Sequence, residues 1–113
     1  MSFAKRELAI VDGTGRHSVA IHVFAPEQGE RGWICRYDIG WPERQRSGAG
    51  YGIDGMQALT IALQNIGAEL YASPYRTAGT LVFDKPGNGY GFPIAKDARH
   101  LLVGDDARYE GNG

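Results

Sequence analysis

Residues 52–70 read GIDGMQALTIALQNIGAEL, the one stretch of this chain that is plainly helical by its spacing. Asp54 is placed as the N-cap, where its carboxylate accepts from exposed N–H groups of the first turn. Gln57 follows three residues on and reaches back to the N–H of Asp54, completing a capping box, with Ile53 just outside as the staple. Met56, Leu59, Leu63, Ile66 and Leu70 then recur at helical spacing as one apolar stripe. Ala58 and Ala62 flank it, and Gln57, Thr60 and Gln64 lie on the other flank, with Asn65 and Glu69 toward the back. The pattern predicts a core helix laid on a sheet. Gly67 weakens its last turn, so it ends near Gly67 or runs on to Tyr71.

Working outward, the chain before this helix reads as strands and turns. Arg6–Val11 and Arg16–Ala25 are two strands joined by Asp12-Gly13, a strong hairpin signal. Val19, Ile21 and Val23 share a face of the second. A loop over 26–32 leads to a third strand, Trp33–Ile39, whose Trp33, Cys35, Tyr37 and Ile39 alternate toward the core. Gln45–Ile53 is a fourth strand, rich in glycine and hence bent or at an edge. After the helix come a loop over 71–77, a fifth strand over 79–84, a short extended piece near Tyr90 and a short helix over 98–102 capped by Asp97. This order predicts an α+β fold: an antiparallel sheet of about five strands packed on one central helix, with a short C-terminal helix. Residues 1–103 are expected to form a single domain, and the polar 104–113 a flexible tail.

The length of 113 residues suits one modest core, and 17 glycines favour turns and bulges over a helical bundle. A net charge of −1, with no basic half, gives no reason to expect nucleic acid or a membrane as partner. The single cysteine, Cys35, cannot close an internal disulfide, which with the absence of a leader or apolar span predicts a cytoplasmic protein.

Several chemical motifs fail on inspection. Gly50-Tyr51-Gly52-Ile53-Asp54-Gly55 matches GxGxxG literally. The dinucleotide fingerprint, however, requires a buried parallel strand ahead of it and a bare helix N-terminus. Glu43-Arg44-Gln45-Arg46-Ser47 is no buried strand, and Asp54 places an anion where a phosphate would bind. Gly89-Tyr90-Gly91-Phe92 resembles part of an RNA-recognition strand but lacks its basic and terminal aromatic positions. Val11-Asp12-Gly13-Thr14 lacks the nucleophilic aspartate two positions earlier. His17 and His22 point to opposite faces of a strand and cannot share a metal. No catalytic residue, cofactor or metal is expected.

Two groups of residues remain. Aromatic and arginine side chains are the usual anchors of protein interfaces, and Arg31, Arg36, Trp41, Arg44, Arg46 and Tyr51 are the candidate partner-binding set. Against this, Trp33 and Tyr37 beside them read as core, and arginines are commonly solvated. The second group, Gln57, Gln64 and Tyr90, would line a pocket between helix and sheet.

The run Gly52-Ile53-Asp54-Gly55-Met56-Gln57-Ala58-Leu59-Thr60-Ile61-Ala62-Leu63 resembles a G-x-D-x-x-Q-A-L-x-x-A-L helix motif of small uncharacterised bacterial domains. Gly89-Tyr90-Gly91-Phe92-Pro93 fits the same pattern. The resemblance spans about residues 33–94 and implies a small cytoplasmic α+β domain, some of whose kind act as immunity or accessory proteins. It carries no catalytic residue over. A non-catalytic protein-binding module is thus the leading expectation. A small-ligand-binding or enzymatic domain is the alternative, and a homodimer through glycine-rich edge strands is also open.

Overall fold

The structure is a computed structural model that describes residues 2–84 and 89–93. Six strands form one antiparallel sheet: β1 (Ser2–Asp12), β2 (Gly15–Phe24), β3 (Glu27–Gly29), β4 (Gly32–Gly40), β5 (Gln45–Gly52) and β6 (Leu81–Val82). Between β5 and β6 lie the long helix α1 (Gly55–Ala72) and the single turn α2 (Pro74–Thr77). The α+β class expected from the sequence is the one observed, with six strands where about five were expected. The additional strand, β3, comes from the polar 26–32 loop, which folds back on β4 with Glu27 opposite Ile34. The helix predicted over 98–102 and the tail over 104–113 lie outside the described residues.

The sheet runs β3-β4-β2-β1-β6, with β5 along the opposite edge of β4. β1 and β2 form a long hairpin in which Leu8 faces Val19 and Arg6 faces Ile21. At its tip Asp12 Oδ1 accepts from Thr14 N at 2.8 Å, a side-chain turn that fixes the register. Because side chains alternate across the pleat, Leu8, Ile10, Val19, Ile21, Val23, Cys35, Tyr37 and Ile39 fall on one face and are buried with the helix. The opposite face carries Lys5, Glu7, His22, Arg36, Asp38, Ser47 and Tyr51, and neither helix packs on it.

The helix sits on β5 and β4 in an unexpected rotation. Its fully buried residues are Ala58, Ala62, Ile66 and Leu70, while Leu59 and Leu63 are half-buried and Met56 is exposed. The alanines expected to flank the contact stripe are its centre. The cause lies in β5, where Gly48, Gly50 and Gly52 all face the helix layer. A Cβ at Gly50 would lie 2.5 Å from Ala58 O, and one at Gly52 2.5 Å from Ala58 N. No side chain intervenes, so helix backbone rests on strand backbone and only alanine fits between. Of the GxGxxG match, Gly50 and Gly52 are therefore contact positions, and Gly55 faces the Trp33 ring.

Candidate functional site

The helix N-terminus is closed by its own chain. Asp54 Oδ1 accepts from Gln57 N at 2.8 Å, and Gln57 Oε1 accepts from Ile53 N at 2.7 Å. The reciprocal cap forms one residue earlier than expected, on Ile53 rather than Asp54. An anion-binding role for this end is thereby displaced by the Asp54 carboxylate.

Around this cap the sheet end and the helix start expose apolar side chains. Ile53 is 85%, Met56 77% and Tyr51 67% exposed. A depression of about 640 Å³ runs beside them, lined among others by Arg31, Trp33, Ile34, Arg36, Ile53 and Gln57. A second, of about 650 Å³, adjoins it on the uncovered sheet face through Ile34, Arg36 and Tyr51. There Phe24 forms one wall, and Asp38, with Ser47 Oγ donating to its Oδ1 at 2.6 Å, forms a polar floor. Arg36 leans toward Glu27, Nη1 to Oε2 3.3 Å, in an exposed pair that water screens and that costs little to open.

The six candidate interface residues therefore separate into three groups. Arg31, Arg36 and Tyr51 converge on these adjoining depressions. Trp41 lies beyond the other end of β4, half-buried and stacked on Tyr75 with ring centroids 5.3 Å apart. Tyr75 in turn donates to Glu43, so this loop is tied to α2, and Arg44 stands exposed within it. Arg46 is on the helix side of β5, where its Nε donates to Glu69 Oε1 at 2.7 Å.

Glu69 was expected on the solvent side of the helix. Its side chain is instead only 22% exposed, and it accepts from Tyr37 as well as Arg46. Burial, and then this bond to Glu69, push the Tyr37 phenol far above the usual tyrosine range. Asn65 likewise turns inward and donates from Nδ2 to Ala49 O at 3.1 Å. The two side chains latch the helix to β4 and β5.

Gln57, Gln64 and Tyr90 do not converge. Tyr90 packs on Tyr71, ring centroids 5.0 Å apart, and its hydroxyl donates to Leu81 O at 3.3 Å. Gln57 caps the far end of the helix, about 20 Å away at 1.5 Å per residue. Where α1 crosses β5 the Gly50–Ala62 approach leaves no space, and the cavity of about 170 Å³ between Leu63 of the helix, Ile21 and Val23 of β2 and Phe92 is lined by none of Gln57, Gln64 and Tyr90.

Sequence reading missed Arg6. It lies on the core face of β1, with its guanidinium carbon 4.9 Å from the ring centroids of both Phe83 and Phe92. Its Nη1 donates to Tyr90 O at 3.1 Å and Gly91 O at 2.9 Å. Segment 89–93 is thus strapped to β1. Cys35 is fully buried and donates to Phe24 O at 3.3 Å, and burial raises its thiol pKa, as befits a packing residue. Among the described residues, no group of three or more His, Cys, Asp or Glu side chains is placed to hold a metal. Nor is any helix among them long and apolar enough to cross a membrane.

Fold and surface together define a two-layer α+β arrangement in which, among the described residues, one sheet face is covered and the other is open. A family model for a domain of unknown function, DUF6968, matches residues 4–94, and the chain belongs to that family. The match runs from β1 through all the described elements to the strapped segment. Comparisons with curated proteins and with solved structures found no match.

Proposed function

We propose that this chain is a non-catalytic protein-binding module, of immunity or accessory type, whose contact surface is the lip formed by Tyr51, Ile53 and Met56 with Arg31 and Arg36. One observation carries this reading: three large apolar side chains stand 67–85% exposed within six residues, beside an arginine-bearing depression. Scattered apolar residues on a surface are ordinary, but a cluster rimmed by arginine is the composition of an interface centre. The arginines can exchange partners, because among the described residues the one ion pair that Arg31 or Arg36 makes is the exposed Arg36–Glu27 pair.

The test is a photo-crosslinking amino acid at position 51 in the producing cell. One discrete protein adduct is expected, and Ile53→Asp should weaken it about tenfold or more, as loss of an interface anchor does. An adduct indifferent to Ile53→Asp, or no adduct, overturns the proposal.

A further inference from the structure

The geometry points to an extended peptide strand as what this surface binds, added to the open edge of β5 and roofed by α1. This rests on the protein-binding reading above and names the class of partner.

Strand β5 pairs only with β4 among the described residues. Which of its backbone groups face away follows from one bond. Ala49 O is taken by the Asn65 side chain, so it points outward, away from β4. N–H and C=O of one strand residue point the same way, and alternate residues share that direction. Ser47 and Tyr51 therefore present their N–H and C=O outward too, and both are exposed. Gly48, Gly50 and Gly52 turn theirs inward to Tyr37, Cys35 and Trp33 of β4. With Ala49 O held by Asn65, the open groups along this edge are the Ala49 N–H and the N–H and C=O of Ser47 and Tyr51, a row at strand spacing that is complementary to another strand.

The helix decides which strand. Because α1 rests on Gly50 and Gly52, its axis lies over β5 itself rather than inward of it. Pairing β5 with β5 of a second copy would bring two strands to about 4.8 Å. The two α1 helices would then be carried to a similar separation, well inside the 8–10 Å that packed helices need. A second copy is thus excluded from this edge by its own helix, whereas a peptide without a helix is not. Ile61, half-buried, stands one turn before Asn65 and so on the helix side that reaches toward the outward carbonyl of Ala49. It offers apolar contact to alternate residues of the added strand. Beyond Gly52 the line of β5 continues to Ile53, so the end of the peptide meets the exposed lip.

The test is a phage-displayed random dodecapeptide library selected on the full chain, with Ser47→Pro and Ala49→Pro as paired variants. Proline there removes only an outward N–H and leaves the β4 ladder intact. Amide exchange at Gly48 and Gly50 reports that each variant still folds. Peptides with alternating apolar residues are expected to be enriched, and to lose at least about tenfold in affinity on either proline variant that keeps its ladder. Enriched peptides that bind the proline variants equally, yet lose binding on Ile53→Asp, overturn the edge and leave the lip as the interface. Peptides indifferent to all three variants, or no enrichment, overturn both. A wild-type dimer in sedimentation that Ser47→Pro dissolves overturns the peptide in favour of a second copy.

Discussion

Gly50 faces Ala58 and Ala62 with no side chain between, so adding one methyl there forces backbone against backbone. Gly50→Ala is expected to destabilise the fold by about 3 kcal/mol, the upper part of the range for overpacking. Chemical denaturation measures this, and a loss under about 1 kcal/mol would show that the helix stands off the strand. Tyr37 gives a second, pH-dependent prediction. Its folded pKa is raised, first by burial and then by Glu69, whereas the unfolded phenol titrates near ~10. The stability it contributes is therefore complete below about pH 10 and is lost as pH rises from there toward the folded value. Tyr37→Phe keeps the ring but abandons the bond to Glu69. It should cost about 1 kcal/mol at neutral pH and flatten the alkaline decline in denaturation curves. Such residue-level pairings were invisible in the sequence. Glu69 and Asn65 look like solvated helix positions, and only the bare face of β5 lets the helix settle far enough for them to reach Tyr37 and Ala49.

At the scale of elements, α1 depends on its cap. Asp54→Ala removes the acceptor of Gln57 N and is expected to cost about 1 kcal/mol, seen as a lower denaturation midpoint with an unchanged slope. The strap over 89–93 depends on Arg6, whose bonds to Tyr90 and Gly91 and contacts with two rings are all lost in Arg6→Ala. A loss of about 2 kcal/mol is expected, with faster amide exchange from Tyr90 to Phe92 while β2 remains protected. Uniform exchange across both would show that Arg6 supports the whole sheet rather than the strap. Existence and type of the long elements were legible, because Val19, Ile21, Val23 and Cys35, Tyr37, Ile39 alternate cleanly and α1 carries a cap. The rotation of α1 was misread by weighting Leu and Met over Ala. The signal that would have corrected it is the alternation of Gly48, Gly50 and Gly52, which marks a strand face with nothing on it and so asks for the smallest helix residues. β3 escaped because Glu27, Gln28 and Gly29 have no strand propensity and are held only by pairing with β4.

At the scale of the molecule, one sheet face and one helix share the core, and among the described residues the other sheet face, the β5 edge and the lip are left uncovered. The open-face placement of Arg36 and Tyr51 was legible in the sequence because they alternate with the core-facing Cys35 and Tyr37 and with Gly50 and Gly52, whereas Arg31 lies in the turn before β4, where no alternation applies. Their separation from Trp41, Arg44 and Arg46 was not legible, since neighbours along one strand look alike until the pairing with α1 and α2 is known. The bare strand has a further consequence for how the chain folds. β5 and α1 are joined only by Ile53 and Asp54, and their contact is made by groups adjacent in sequence, so closing it costs little chain entropy. The backbone approach at its centre waits on no side-chain ordering, as glycine and alanine have no rotamers to fix. The strand and helix are therefore expected to dock early as one kinetic unit, before the β1–β2 hairpin is added. Conservative substitutions along Ala58 and Ala62 should slow folding with little change in unfolding rate, whereas Val19→Ala should chiefly speed unfolding. Stopped-flow chevrons with the opposite assignment would place the nucleus in the hairpin instead.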